Sequence, residues 1–408
     1  MAKPPSIVGL ELGERSFVCA VGMVPDPGRL IVQAAENIPA RGMERGVLTD
    51  PVECTDTIAR LVRQVEKNTS QKITQAFVAM CGNHLKSSTV TSTVPIPDPT
   101  VGISRRDIDR AIAHCKTLSL EYDRQILHTS ERRFSIDGQS GIKDPVGLSG
   151  TKLRIDLHLV TAQTCAVQNL TRVLHRAGVE VSEFVVPILA MAEAVLADLD
   201  RDLGVTLISI GEFQTEAVLF TDGAVRETFL FPWGIDYVAE TLSRSLKLPR
   251  AAVDQLLDQL KTVEERPERA QVPLHVKAGS IQRTFSQGEV IRLVVPKVKE
   301  LLGRIKRQLD ESSFFQESAA GITMCGRLAL LEGFLEIAEG ILNMPVRLGT
   351  SRDVEVDTHV SLNSAHTTAI GLLHYATKRR VVPAPVGVSG PPWVVWVDRT
   401  RKILEEYF

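Results

Sequence analysis

Two short stretches of this chain are built like anion cradles. Ile7-Val-Gly-Leu-Glu-Leu-Gly-Glu-Arg-Ser-Phe-Val-Cys-Ala-Val21 reads as strand, tight turn at Gly13, strand. The pattern returns about two hundred residues later as Val205-Thr-Leu-Ile-Ser-Ile-Gly-Glu-Phe-Gln-Thr-Glu-Ala-Val-Leu219, around Gly211. Glycine at such a turn lets backbone N–H groups approach an anion with no Cβ in the way. Each copy then passes a glycine-containing turn, Pro25-Asp-Pro-Gly28 or Thr221-Asp-Gly223, into another apolar strand. The repetition predicts two related halves whose hairpins face each other across a cleft. Other chemistry is poorly supplied. The nine histidines show no H-E-x-x-H or paired metal spacing, and neither a G-x-S-x-G elbow nor a Walker-type loop occurs. His158 falls in an alternating strand pattern and reads as structural. The six cysteines (Cys19, Cys54, Cys81, Cys115, Cys165, Cys325) are scattered with no C-x-x-C pair, which argues against a disulfide framework or zinc site and for a reducing cytoplasm.

The elements that must position the turns follow from periodicity and caps. Strands are expected at 30–38, 76–80, 89–93, 126–136 and 152–161, with two short ones within 271–284. Asp50-Pro51 should start a helix carrying Ile58, Leu61, Val62 and Val65, with Asp as cap and Pro in the first turn. Ser104-Arg-Arg-Asp107 reads as the cap of a helix through Ile108, Ile112 and Cys115. Further helices are expected at 167–177, 185–199, 248–260 and 296–309. A chain of 408 residues predicts two or more domains, and 44% apolar with 24% charged residues is ordinary for a globular protein. A net charge of −2 gives no reason to expect nucleic-acid binding. The first strand begins within about six residues of the N-terminus, leaving no room for a signal peptide. No stretch reaches the roughly 20 apolar residues of a membrane span.

The paired hairpins resemble those of the actin-like superfamily, in which they hold the phosphates of ATP. Gly9-Leu-Glu-Leu-Gly13, Arg41-Gly-Met-Glu-Arg-Gly46, Gly141-Ile-Lys-Asp-Pro-Val-Gly-Leu-Ser-Gly150, His158-Leu-Val-Thr161 and the stretch 172–183 are similar to the bacterial cell-division protein family FtsA, and similarity runs along nearly the whole chain. The loop 141–150 is the most discriminating piece, because it belongs to an insertion subdomain that FtsA has and actin, MreB and the sugar kinases lack. The resemblance implies an α/β, actin-like (ribonuclease H-like) duplicated fold with two lobes, an FtsA-type insertion subdomain and a C-terminal amphipathic helix. The implied boundaries are 1–85 with 165–200 for the first half, 86–164 for the insertion, and 201–235 with 305–378 for the second half. An upper lobe takes 236–304, a flexible linker 379–392 and the amphipathic helix 393–408. In the family the insertion mediates contacts between division proteins and between subunits, and the upper lobe receives the C-terminal peptide of FtsZ. Lys297, Lys299, Arg304, Lys306 and Arg307 could meet an acidic peptide there, or could be the solvated face of a helix.

The family's nucleotide residues carry over as Glu11, Gly13, Ser16, Gly211, Thr215 and Gly326, but the motifs around them are degraded. Where the second hairpin should read acid-apolar-Gly-Gly-Gly-Thr, this chain has Ser209-Ile-Gly-Glu-Phe-Gln-Thr215. The adenosine motif, Thr-Gly-Gly-small in the family, is Cys325-Gly-Arg-Leu328. A bulky residue at a glycine position blocks the backbone approach that phosphate needs. A carboxylate about 5 Å from a phosphate oxygen costs roughly 1 kcal/mol in water and several-fold more in a drier cleft, a cost that Glu14 and Glu212 would impose if they face it. Loss of the acid at Ser209 removes a magnesium ligand or its water's partner. The expectation is a scaffold without ATP hydrolysis, with ATP and Mg bound weakly or lost. The alternative is that Arg15 or Arg327 supplies replacement charge.

The tail follows a proline- and glycine-rich stretch and, as a helix, gathers Trp393, Trp396, Val397, Ile403, Leu404, Tyr407 and Phe408 on one face. This reads as an in-plane membrane anchor, as in FtsA, or as a helix that docks on a protein surface. The expected function is an adaptor that tethers FtsZ filaments to the inner face of the cytoplasmic membrane at the division septum, self-associates, and recruits other division proteins through 86–164. The alternatives are an ATP-controlled polymerising version and a PilM-type adaptor of another envelope machine.

Overall fold

The two halves repeat one another strand for strand. In the computed structural model of the first half, Leu30–Pro39, Ser16–Met23 and Ser6–Leu12 form an antiparallel meander, and Gln75–Met80 and Glu180–Val185 then join in parallel beside Ser6–Leu12. In the second half Ala224–Phe231, Thr215–Thr221 and Val205–Ile210 form the meander, followed in parallel by Ile322–Gly326 and Val346–Leu348. A short strand, Val354–Val356, returns to pair with Leu30–Pro39. The described residues are 6–26, 29–119, 121–264, 270–278 and 281–380. The tail from 381 onward, with Trp393, Trp396, Val397, Ile403, Leu404, Tyr407 and Phe408, lies outside them.

Local chemistry explains where several helices begin. Asp50 Oδ1 accepts from the backbone N–H groups of Val52 and Glu53, and Pro51 fills the first helical position of Pro51–Thr69. Ser104 and Asp107 close on each other before Arg105–Ser119: the Ser104 N–H and hydroxyl both donate to Asp107 Oδ2, at 2.9 and 2.6 Å. Two central helices, Pro187–Val195 and Thr367–Arg380, meet so closely that a Cβ on Gly371 would lie 1.9 Å from the Ala190 carbonyl oxygen.

Three sequence expectations need correction. The helix expected over 185–199 is the end of a strand, the helix Pro187–Val195 and a separate helix Asp198–Leu203, because Leu196 is extended (ψ 132°). The helix expected from Pro296 begins at Gln287, capped by the Ser286 hydroxyl accepting from the Glu289 N–H at 3.3 Å. Pro296 sits inside it, and the carbonyl it leaves without a donor belongs to the exposed Arg292. The last helix runs to Arg380, two residues into the stretch expected as linker.

Residues 85–163 form an antiparallel sheet in the order Leu85–Pro95, Lys152–Gln163, Arg124–Ile136, Gln139–Ile142. Helix Arg105–Ser119 covers one face, burying Ile108, Ala111 and Cys115 against Leu153, Ile155 and Leu157. This sheet leans on the edge strand Ala224–Phe231 of the second half. His158 Nε2 accepts from the Thr228 N–H at 3.1 Å, with the Thr228 hydroxyl 2.8 Å away. The Ser87 and Ser130 hydroxyls donate to the Thr228 and Val225 carbonyls, and Arg132 pairs with Glu227 at 2.9 Å. His158 is therefore structural, held neutral by burial that pulls its pKa down to about 4.

Candidate functional site: the cleft between the hairpins

Gly13 and Gly211 make the same turn. A Cβ on Gly13 would lie 2.7 Å from the Ser16 carbonyl oxygen, and one on Gly211 would lie 2.8 Å from that of Gln214. Each glycine is required by its own hairpin, whatever the cleft holds. Gly326 ends the strand Ile322–Gly326 at φ +98°, where a Cβ would meet the Ile210 carbonyl at 2.3 Å. Between these points lies a cleft of about 730 Å³, lined among others by Glu11, Gly13, Ser16, Gly211 and Gly326. Thr215 does not join them. Its hydroxyl is buried in the strand and donates to the Trp233 carbonyl at 2.7 Å, so the expected displaced hydroxyl is spent on the fold.

The turn of the second hairpin already holds an anion. The Glu14 carboxylate reaches across from the first hairpin and accepts from the Phe213 N–H at 2.8 Å, and the neighbouring backbone of Glu212 and Gln214 also favours its charge. Burial raises the Glu14 pKa and these backbone groups work against that rise. The two arginines that could have offered charge to phosphates are also engaged. Arg15 grips Asp258 with both terminal nitrogens, at 3.1 and 2.6 Å. Arg327 bonds Asp258 at 2.6 Å and Glu212 at 3.3 Å. Glu212 also pairs with Arg250, and the Phe213 ring lies under Arg45 (5.0 Å) and Arg250 (5.8 Å).

The cleft floor carries two further acids. Glu11 is pushed up to about 7 and Glu216 to about 8, in both cases mainly by burial, with the charge of Glu14 adding to the rise. Glu216 accepts from the Ile188 N–H at the start of a central helix and from the Gln214 side chain. Sequence reasoning missed Glu216, Thr368 (which lines the cleft beside Glu11 and lowers its pKa against the effect of burial) and Asp258. The first had a signal: a carboxylate inside the apolar run Thr215–Thr221 is a buried acid. Among the described residues no group of three or more His, Cys, Asp or Glu side chains is arranged for a metal ion.

These residues do not fit a magnesium nucleotide. The cleft has the volume for one. The Glu14 carboxylate, however, is seated on its second turn at the Phe213 N–H, its guanidiniums are taken by carboxylates, and Ser209 stands where an acid is needed. No step of chemistry through a bound nucleotide follows from this arrangement.

The duplicated sheets and cleft define an actin-like protein. Solved structures agree on the fold: the PilM-PilN type IV pilus biogenesis complex matches with a TM-score of 0.64 at 13% identity, over 93% of this chain and 99% of that one. MreB5 of Spiroplasma citri bound to ADP matches at 0.55 and 9% identity, over 93% and 99%. The family is set by sequence. Residues 82–161 match the model described as "SHS2 domain inserted in FTSA", and residues 206–371 match "Cell division protein FtsA". The cell division protein FtsA of Pseudomonas aeruginosa is 31% identical over 388 residues, 94% of this chain and 92% of the relative. That of Escherichia coli is 26% identical over a 422-residue alignment covering 98% of each. This chain belongs to the FtsA family of cell division proteins.

Proposed function

We propose that this chain is an adaptor that tethers FtsZ filaments to the inner face of the cytoplasmic membrane at the division septum, without hydrolysing ATP. The observation that carries the reading is the likeness to FtsA proteins over 94% of the chain, with the inserted subdomain in place. Absence of hydrolysis rests on the Glu14 carboxylate in the second turn. The upper lobe and the end of the strand beside it support capture of an acidic peptide. Phe229, Phe231 and Trp233 stack in a ladder, at 5.7 and 6.3 Å between ring centres. Arg304 lies over Trp233 and Tyr237, and Lys297 over Tyr237. Those two cations share Glu300 and Lys306 holds Asp310, while Lys299 and Arg307 are exposed with no ion pair among the described residues. Membrane contact falls to the tail, since no described helix is long and apolar enough to cross a bilayer. The insertion 86–164 would recruit other division proteins, and self-association on the membrane would multiply weak single contacts by avidity.

A second reading, favoured by the cleft's volume alone, keeps a nucleotide there to control assembly. A PilM-type adaptor shares the fold and lacks support from the insertion match. Liposome flotation of the full chain against a chain ending at Gly390, with and without Mg-ATP and an FtsZ tail peptide, tests the proposal. The expected result is that only the full chain floats, carries the peptide and ignores ATP. If both stay in solution the anchor is wrong, and if flotation needs ATP the second reading replaces the first.

A further inference from the structure

The residues that spoil the nucleotide site are not idle. We infer that they form an internal clasp that holds the two halves closed across the cleft, in the place where a bound phosphate compound would bridge them. Three ties cross from the first half to the second. The Glu14 carboxylate takes the Phe213 N–H, Arg15 takes Asp258 in a two-pronged grip, and Arg45 takes Asp236 at 2.9 Å while covering the Phe213 ring. The second half joins these anchor points to one another. Arg327 bridges Asp258 and Glu212, and Arg250 bridges Glu212, Asp236 and Asp254.

The first-half members all sit on turns that flank the cleft, the hairpin tip 13–16 and the small hairpin Met43–Glu44 with Val47–Leu48. The second-half members sit on the turn 211–214 and on the helices Ile235–Leu246 and Arg250–Gln259 of the upper lobe. The clasp therefore links hairpin to hairpin and first half to upper lobe. Its guanidiniums are each matched by carboxylates, so an incoming polyphosphate finds no open cation among the described cleft residues and one seated anion to displace. Ion pairs exposed to this degree (Arg15 and Asp258 at 48% and 46%) are individually weak and are screened by salt. Closure of the cleft is then governed by ionic strength and not by ATP. This inference stands apart from the tether proposal and does not need FtsZ or a membrane.

Hydrogen–deuterium exchange on the full chain tests it, read at the amides of 12–16, 43–48 and 211–215, with the core strand Gln75–Met80 as reference. Raising NaCl from tens of millimolar to about 1 M should speed exchange at the three turns about tenfold while leaving the core strand unchanged. At low salt Arg15→Ala and Asp258→Ala should each reproduce part of that rise, Asp258→Ala the larger part because it also frees Arg327, and the double variant should add little beyond Asp258→Ala. Mg-ATP at millimolar concentration should not slow exchange in the wild type. The clasp is overturned if the turns ignore both salt and the variants, or if Mg-ATP protects them. Should a variant unfold, its core strand will exchange as well, and the salt series on the wild type then decides alone. Failure of the chain to float with liposomes would sink the tether and leave this result untouched.

Discussion

The cleft between the hairpins and the seam beneath the inserted sheet both join separate pieces of this molecule, with a different balance of neutral and charged contacts. The seam rests mainly on neutral hydrogen bonds at one edge strand, one accepted by a buried histidine and two donated by part-buried serine hydroxyls, and adds one largely covered ion pair, Arg132–Glu227. The cleft uses acids and guanidiniums, several of them half-exposed. A buried neutral contact costs much to break and responds little to salt. A half-exposed ion pair costs little and responds strongly. The contrast marks the seam as a fixed weld and the cleft as an adjustable joint.

The largest effect that would break this contrast is in pH. Glu216 is buried at the cleft floor, with a pKa of about 8 against an ordinary 4.5. Its folded pKa lies above its unfolded one, so the native state holds the extra proton. The stability this group contributes is then full below pH 4.5 and lost as pH rises toward 8, by on the order of 5 kcal/mol. His158 has the opposite sign. Its folded value of about 4 lies below the ordinary 6.5, so the seam keeps its full stability above pH 6.5 and loses it as pH falls toward 4. Urea midpoints across pH 4–9 should show both limbs; Glu11, also raised by burial, shares the alkaline limb, so Glu216→Gln should shrink that limb without abolishing it and leave the acid limb in place. An alkaline limb unchanged in that variant would remove the buried-acid account of the cleft.

Replacing the seam's histidine should cost less. His158→Ala strips an acceptor from the buried Thr228 N–H and leaves a void, for about 3 kcal/mol in chemical denaturation. The cost should be nearly the same at low and high salt. Next come the turn glycines. Gly13→Ala and Gly211→Ala place a methyl 2.7 and 2.8 Å from a carbonyl oxygen of their own hairpin, and each should cost about 2 kcal/mol. Equal losses, read as shifts in Tm, would confirm that both glycines serve the fold. A loss confined to Gly13 would show that the second turn has relaxed along with its chemistry.

That distinction also explains what could be read from the chain. Asp50 and Ser104 announced their helices because a cap acts over three residues. Ser286-Gln-Gly-Glu289 carried a similar signal, but Pro296 has so strong a preference for a first turn that it drew the start to Pro296 instead of Gln287. The duplicated hairpins were legible because glycine at a tight turn is a local requirement. The erosion of the site was legible for the same reason, since Glu212 and Phe213 stand where glycine is needed. What replaced the chemistry was not. Arg15 and Arg327 were visible as charges, but their shared partner Asp258 lies 243 residues from one and 69 from the other. No local pattern reports a pairing made by folding two halves together. Thr215 shows the converse error: the right residue type in the right turn, with its hydroxyl committed to Trp233.

The smallest effect sharpens the contrast most. Arg45 is the first half's outermost contribution to the joint, 59% exposed, paired with Asp236 and lying over Phe213. Arg45→Ala should cost about 1 kcal/mol at low salt, the sum of a weak ion pair and a cation–ring contact. Screening removes most of the ion-pair share and less of the ring contact, so the cost should fall to roughly half in high salt. Arg45→Met separates the two shares, because it keeps apolar contact with the ring and gives up the charge. If Met restores stability at every salt concentration, the joint is held by packing, and the cleft is a weld like the seam. If Met behaves as Ala at low salt and approaches wild type only when salt is raised, the charge is what closes the joint, and the glycine-to-glutamate exchange at 212 has a purpose in the fold as well as a cost to the nucleotide site.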